Sequence, residues 1–147
     1  MRDQCYGIIP LQQTKEGLEV LLVKHAKGHW DFPKGHEEEG DANVLATAKR
    51  ELLEETNLDI DTFLSLSPIV EKYSFIDPKR GKVDKQVDYY LALVKGTLQV
   101  DEEEIVEARF IPIQEAMDLM TYPTGKEVCQ KAIIYLLKQS LNEKSNI

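Results

Sequence analysis

The chain has 147 residues, of which 42% are hydrophobic and 30% are charged, and its formal net charge is −8 at pH 7. A chain of this length usually forms one domain, so we expect a single domain over residues 1–147. The acidic balance argues against a protein that grips long nucleic acid, because that mode of binding needs a basic face. No apolar run reaches the ~20 residues of a membrane span, and the N-terminus lacks a signal sequence, so we expect a cytoplasmic protein.

Two apolar, β-branched segments open the chain. Residues 4–11 and 18–25 are typical of buried strands, and residues 15–17 fit the turn between them. Cys5 and Cys129 are too few for a disulfide framework and lack the spacing of a metal site. We therefore expect both to be buried, reduced thiols.

A loop and a helix follow. Residues 30–41 contain a proline, two glycines and few apolar side chains, which indicates a loop. The pattern then predicts a helix over residues 42–56. Asp41 suits its N-cap, and Asn57 suits the left-handed residue that ends it.

The second half of the chain again mixes strands and helices. Strands are predicted at 67–75, 86–96 and 108–113, a turn or loop at 76–85, and helices at 114–120 and 125–141. The chain is therefore expected to fold as one α+β domain.

Three carboxylates lie close together near the end of the first predicted helix. Glu51, Glu54 and Glu55 have the spacing i, i+3 and i+4, which places them on one face, where like charges repel. The face is either a solvated acidic surface or a divalent cation site, since carboxylate oxygens are the ligands that Mg²⁺ and Mn²⁺ prefer. A bound cation would turn the repulsion into attraction.

The segment 35–58, GHEEEGDANVLATAKRELLEETNL, resembles the Nudix box. That pattern consists of Gly, five residues, Glu, seven residues, Arg-Glu, an aliphatic residue, any residue, Glu-Glu, any residue, Gly and an aliphatic residue. The matching positions are Gly35, Arg50, Glu51, Leu52, Glu54, Glu55 and Leu58. Because the core of the box from Arg50 to Glu55 is intact, the sequence is identified as a member of the Nudix hydrolase family.

Two positions depart from the box. Asp41 replaces its first Glu, and eight residues rather than seven separate Asp41 from Arg50, so one residue is inserted. Asn57 replaces the Gly near the end, which is a mild change because asparagine tolerates the left-handed conformation. We expect the loop or the first helical turn to absorb the insertion.

The resemblance implies a fold, a cofactor and a set of roles. The implied fold is a Nudix-type α/β/α sandwich with a mixed β-sheet between helices. The implied cofactor is Mg²⁺, with Mn²⁺ as the alternative, held by Glu51, Glu54 and Glu55 and by the backbone at Gly35. Arg50 would orient a glutamate through a charge-assisted hydrogen bond. The sequence leaves open which glutamate acts as the general base.

Three segments outside the box are similar to the asymmetrical diadenosine tetraphosphate hydrolases of this family. HWDFPKGH (29–36) resembles their lead-in to the box, and KQVDYYLALV (85–94) resembles a strand that follows a phosphate-contacting lysine. EEEIVEARFIPIQEA (102–116) resembles a segment in which a glutamate precedes Arg and an aromatic residue. By this resemblance Lys85 would contact phosphate, and Glu104 would be a further metal ligand or the base.

The candidate substrate-binding residues are Lys34, His36, Tyr73, Lys79, Lys85 and Tyr135. Lys79 and Lys85 belong to a basic cluster that is either a solvated turn or a surface suited to the roughly four negative charges of a tetraphosphate. Tyr73 and Tyr135 are either core residues or platforms for a nucleobase, whose stacking is worth roughly 1–3 kcal/mol, and Tyr73 is the first choice. His36 is expected near phosphate. His25 and His29 lack zinc spacing and are expected at the surface.

Together these features predict a Mg²⁺-dependent pyrophosphohydrolase that cleaves diadenosine tetraphosphate to ATP and AMP by attack of water on a phosphate. One alternative keeps the chemistry but acts on an RNA 5′-pyrophosphate, a non-standard nucleoside triphosphate or ADP-ribose. Another is a non-catalytic nucleotide-binding module. The expected partner is a small nucleotide, with no membrane and no long nucleic acid, and the sequence leaves monomer and dimer open.

Overall fold

The computed structural model describes residues 1–100 and 102–145. Its strands are β1 (Arg2–Thr14), β2 (Gly17–His25), β3 (Trp30–Asp31), β4 (Lys34–Gly35), β5 (Asp59–Phe63), β6 (Ile69–Asp77), β7 (Gly81–Lys95) and β8 (Ile105–Pro112). Its helices are α1 (Val44–Thr56), α2 (Ile113–Leu119) and α3 (Pro123–Ser145). In this part of the chain, no helix combines the length and hydropathy needed to cross a bilayer.

One mixed sheet holds all of these strands. β1 pairs in parallel with β7, from Arg2 opposite Asp84 to Leu11 opposite Leu93. The other pairs are antiparallel: β1 with β2 and β4, β2 with β3 and β8, and β7 with β5 and β6. Because β4 pairs with β1, the backbone at Gly35 is held beside the centre of the sheet.

Helices cover both faces of the sheet, so the predicted α/β/α sandwich is confirmed. On one face, β-strand side chains such as Val87 and Tyr89 pack with α2 and α3. On the other face, Ile8 and Leu21 pack with Ala48 and Leu52 of α1. Cys5 and Cys129 lie in the first of these cores as free, buried thiols, as predicted.

The start of α1 differs from the prediction. The helix begins at Val44, and its N-cap is Asn43, whose side-chain oxygen accepts a hydrogen bond from Ala46 N at 2.9 Å. The prediction that Asp41 caps the helix was therefore wrong. The predicted helix end is confirmed, because Asn57 has a left-handed φ of 66° and its N–H donates to Leu53 O.

Two further parts of the chain also differ from the prediction. Residues 59–63 form the strand β5, which was not predicted. Of residues 76–85, predicted as a turn or loop, only 78–80 form a turn, because β6 continues to Asp77 and β7 begins at Gly81 in a tight hairpin. The hairpin carries Lys85 on β7 rather than in a turn.

Candidate active site

The second half of α1 packs against β4, which brings the box glutamates to the glycine that precedes them in sequence. The N–H of Lys34 donates to Glu55 Oε2 at 3.1 Å. A Cβ placed on Gly35 would overlap the carboxyl group of Glu51. Only glycine therefore allows the backbone of β4 to approach Glu51 this closely.

Arg50 ties the loop before α1 to the glutamates. Its Nε and Nη2 donate to the two carboxylate oxygens of Asp41, each at 3.0 Å. Its Nη1 lies 3.0 Å from Glu51 Oε1 and 3.1 Å from Glu54 Oε2, and its Nη2 also donates to His36 O at 2.8 Å. These bonds, with the one to Asp41 foremost, raise the pKa of Arg50 and keep it charged.

The inserted residue does not separate Asp41 from Arg50. Although Asp41 has a shorter side chain than the box Glu, it still reaches the guanidinium of Arg50 with both oxygens. Asp41 also accepts hydrogen bonds from Glu38 N and from the Thr47 hydroxyl, both at 2.9 Å. The Arg50 bond lowers the pKa of Asp41, so this carboxylate is a fixed anion that orients Arg50.

Burial makes two of the box glutamates reluctant to ionise. Burial raises the pKa of Glu55 to about 8; the charges of Glu51 and Glu104 act in the same direction, while the Lys34 ammonium opposes them. Burial also raises the pKa of Glu51, against the hydrogen bond from Arg50. Buried carboxylates of this kind are stabilised as anions by a nearby cation.

A cavity of about 370 Å³, called here the glutamate cavity, collects most of the predicted site residues. Of these it is lined by Lys34, Gly35, His36, Glu51, Glu55, Lys85 and Glu104. Carboxylates and basic side chains therefore line one space that is large enough for phosphate groups.

The donor set of this cavity fits a divalent cation such as Mg²⁺. Glu51 and Glu55 would supply carboxylate oxygens. The backbone of Gly35 lies beside the Glu51 carboxyl group, so it would be placed to contribute as well. Within residues 1–100 and 102–145, however, no three glutamates have oxygens within 4.8 Å of one another. Their side chains would have to rotate in order to share a cation.

Glu54 and Glu104 lie at the edges of this arrangement. The side chain of Glu54 is 52% exposed and bonded to Arg50, on the solvent side of the α1 face. Glu104 lies in the turn before β8, and its carbonyl oxygen accepts a bond from Ala26 N at 2.9 Å. Its side chain lines the cavity, near enough for its charge to raise the pKa of Glu55.

Lys34 reaches the cavity from a buried ion pair. Its Nζ lies 2.9 Å from Asp31 Oδ2, and both side chains are only 9% exposed. Burial alone would lower the pKa of Lys34, but Asp31 more than offsets this and raises it. The lysine is therefore a fixed cation beside Glu55.

Asp3 gathers the other basic groups at the cavity. Its Oδ1 lies 2.5 Å from His36 Nε2, and its Oδ2 lies 3.6 Å from Arg80 and 3.9 Å from Lys85 Nζ. Burial would raise the pKa of Asp3, but the bond to His36 and the charges of Lys85 and Arg80 lower it. Lys85 and His36 are thus held on the same side of the cavity.

A second cavity of about 760 Å³, the tyrosine groove, adjoins the first through Lys85. It is lined by Arg2, Asp3, Gln4, Lys72, Tyr73, Ser74, Asp84, Lys85 and Gln86. Burial raises the pKa of Tyr73 to about 12, so its ring is a neutral phenol. Of the two tyrosines predicted to stack on a nucleobase, Tyr73 is the one that lines the tyrosine groove.

Two predicted substrate residues lie outside both cavities. Lys79 is in the turn at the tip of the β6–β7 hairpin, where its N–H donates to Asp77 Oδ1 at 2.8 Å. Tyr135 packs against the core beneath α3, and its hydroxyl donates to Leu64 O at 3.1 Å. In this structure Tyr135 ties α3 to the loop after β5.

Some cavity residues were missed by sequence reasoning. His25 and His29 are partly buried and line the glutamate cavity, so the prediction that they lie at the surface was wrong. Their rings stack with centroids 4.2 Å apart. Cys5 and Glu38 also line the cavity. A signal was available for His29 alone, because it begins the lead-in segment HWDFPKGH.

The family model described as NUDIX domain matches residues 1–132, and the chain therefore belongs to the Nudix family. Among curated proteins, it is 30% identical over 124 residues to the bis(5′-nucleosyl)-tetraphosphatase (asymmetrical) of Rattus norvegicus, which covers 81% of each chain.

Two solved structures share the fold. One is a Caenorhabditis elegans Ap4A hydrolase binary complex, with a TM-score of 0.71, 22% identity and coverage of 92% of this chain and 98% of that one. The other is the NUDIX domain of Shewanella oneidensis NrtR complexed with ADP ribose, with a TM-score of 0.75, 19% identity and coverage of 92% and 89%. At these identities the two structures establish the fold of the chain and not its substrate.

Proposed function

We propose that this protein is a divalent-metal-dependent hydrolase that cleaves diadenosine tetraphosphate asymmetrically to ATP and AMP. One observation carries the proposal: carboxylates and basic side chains line the glutamate cavity together, and Lys85 lines both this cavity and the larger tyrosine groove. A site for a metal–polyphosphate complex needs both charges, and a dinucleotide needs the additional space. The similarity to an asymmetrical tetraphosphatase over 81% of the chain supports the same substrate.

The basic side chains would bind and orient the phosphate chain. Lys34 is held by Asp31, and Lys85 and His36 are held by Asp3, so their directions are largely fixed before substrate arrives. Fixed donors lose little conformational freedom on binding and favour a reactive alignment of the phosphate. Tyr73 would stack on one adenine in the adjoining groove.

The glutamates would hold the cation and accept the proton of the attacking water. A divalent cation held by Glu51, Glu54, Glu55 and Glu104 would neutralise phosphate charge and make a water more acidic. Arg50 keeps Glu51 and Glu54 in place from one side, and the backbone at Gly35 confines Glu51 from the other. One glutamate of this group acts as the general base, a role typically worth a factor of 10²–10⁴ in rate.

The proposal is tested by incubating the protein with diadenosine tetraphosphate and Mg²⁺ in ¹⁸O-labelled water. ATP and AMP are the expected products, and the label identifies the phosphorus that is attacked. Two molecules of ADP would exclude the asymmetrical reaction. No turnover of this substrate, beside rapid turnover of ADP-ribose, would reassign the substrate within the family.

ADP-ribose is the second candidate substrate. The Nudix domain of NrtR, which shares this fold at a TM-score of 0.75, is described as complexed with ADP ribose. This compound has two phosphates instead of four, so it would need fewer basic contacts. The same incubation with ADP-ribose, followed by detection of AMP and ribose 5-phosphate, separates the two candidates.

A further inference from the structure

A chain of buried polar side chains leads from the glutamate cavity toward α3. Lys34 Nζ lies 2.9 Å from Asp31 Oδ2, and the Tyr89 hydroxyl lies 3.2 Å from Asp31 Oδ1. The same hydroxyl lies 3.4 Å from Glu71 Oε1, and the Thr124 hydroxyl donates to Glu71 Oε2 at 2.7 Å. Asp31, Glu71 and Tyr89 are only 6%, 4% and 0% exposed. Very little of the surface of these three side chains is therefore exposed to solvent.

The number of hydroxyl hydrogens limits how the oxygen atoms of these side chains can be paired in hydrogen bonds. Tyr89 has one hydroxyl hydrogen but lies between two carboxyl groups. If both carboxyl groups were ionised, one oxygen would lack its donor, and two negative charges would face each other across a buried phenol. Such an arrangement is costly in a buried site.

The neighbours of each carboxyl group indicate which one is ionised. Asp31 is bonded to the Lys34 ammonium and also accepts from Phe32 N at 2.8 Å, so it is the anion. Among the described residues, the hydrogen-bond donors to Glu71 are both hydroxyl groups, those of Thr124 and Tyr89. A proton on Glu71 Oε1, donated to the Tyr89 oxygen, would satisfy every member of the chain.

We propose that Glu71 is a neutral carboxylic acid at pH 7, and that Glu71 and Tyr89 are positioning residues that hold Asp31 and, through it, Lys34. The protonated Glu71 donates to Tyr89, and Tyr89 then directs its single hydrogen to Asp31. This assignment rests on the proposed function only in the role of Lys34, which is to meet a substrate phosphate.

The electrostatic surroundings of Glu71 agree with a bound proton. Burial raises the pKa of Glu71, and the Asp31 charge acts in the same direction, while Thr124, Lys34 and Tyr89 oppose them. Glu71 also faces a cleft of about 430 Å³ between β6 and α3, where Lys72, Gln86, Glu127 and Lys131 lie. The charged side chains beside it are one acid, Glu127, and two bases, Lys72 and Lys131, so their net positive charge acts against the proton on Glu71.

The protonation state is tested without reference to activity. Protein labelled with ¹³C at the glutamate carboxyl carbon is titrated by NMR, and the Glu71 signal is identified by its loss in the Glu71→Gln variant. A midpoint above pH 7 supports the proposal. A midpoint below pH 7 overturns it, whatever substrate the protein acts on.

The positioning role is tested by kinetics on the nucleotide that the protein turns over, and by calorimetry with inorganic triphosphate and Mg²⁺. Glutamine at position 71 can donate to Tyr89 and accept from Thr124, so Glu71→Gln should stay within about threefold of the wild type in KM. Tyr89→Phe removes the link and should raise KM and weaken triphosphate binding by about tenfold, with a smaller change in kcat.

Tyr90→Phe serves as the matched control, because Tyr90 is a buried tyrosine in the core on the opposite face of the sheet. It should leave KM and triphosphate binding unchanged. Equal losses in the Tyr89 and Tyr90 variants, or a Glu71→Gln variant as impaired as Tyr89→Phe, would overturn the positioning role. Thermal unfolding of each variant separates these effects from a loss of folded protein.

Discussion

Replacing Gly35 by alanine is expected to impair catalysis while the fold survives. The backbone of Gly35 does not have a positive φ, so alanine can adopt its conformation. Its methyl group, however, would overlap all three atoms of the Glu51 carboxyl group. Because ordinary contact begins at 3.4 Å, the carboxylate would have to withdraw by about 1 Å, a displacement that can lower a rate by about 10².

The assay combines initial rates of nucleotide hydrolysis with a Mg²⁺ titration and urea unfolding. Gly35→Ala should lower kcat by about 10² and weaken Mg²⁺ binding, with little change in unfolding. Gly125→Ala is the control, since its methyl group meets the flexible end of Met120 instead. Adding Gly35→Ala to Glu51→Gln should cost little more, because both changes act through one carboxylate. Full activity and Mg²⁺ affinity in Gly35→Ala would refute this reasoning.

Four further outcomes are expected. Glu51→Gln should lower kcat by at least ~10² in steady-state assays, and an unchanged rate would favour a binding module. Asp41→Ala frees Arg50 and should weaken Mg²⁺ binding by about 10–100-fold in calorimetry; unchanged affinity would contradict its orienting role. Tyr73→Ala should raise KM for the dinucleotide about 5- to 150-fold, whereas Tyr73→Phe should not; equal KM values in both variants would argue against stacking. Burial lowers the pKa of His25 from 6.5 to about 4. As the pH falls, the unfolded chain therefore binds a proton at this histidine at a higher pH than the folded chain does. His25 therefore contributes stability above pH 6.5 that is lost as the pH falls toward 4; urea unfolding across this range should show a flatter profile for His25→Gln, and identical profiles would contradict the assignment.

The sequence was sufficient for those parts of the site that depend on local spacing. Glu51, Glu54 and Glu55 share a helix face because of the helical repeat alone, and Asn57 ends the helix because it tolerates a positive φ. The role of Asp41 was misjudged for a local reason as well. Asn43 lies two residues later and competes as an equally good cap, which leaves Asp41 free to bind Arg50.

The parts of the fold and of the site that depend on tertiary pairing could not be predicted from the sequence. The strand at residues 59–63 is short and partly polar, because it lies at an edge of the sheet. Apart from Ile76, Pro78 and Val83, residues 76–85 are polar or glycine, so their pattern resembles a loop although most of the backbone is paired. His29 and Asp31 join the site only when β3 aligns against β2. No spacing in the sequence indicates that contact.

The parallel pairing of β1 with β7 has a consequence for how the protein comes to be made. Partners in that ladder are more than eighty positions apart in the chain, and distant pairings of this kind form slowly. On the ribosome β1 can pair with β2 and β4 early, but its edge toward β7 must wait until that strand has emerged. During that interval the nascent chain already carries the box helix but has no complete pocket, so folding yield should depend on how quickly translation delivers β7.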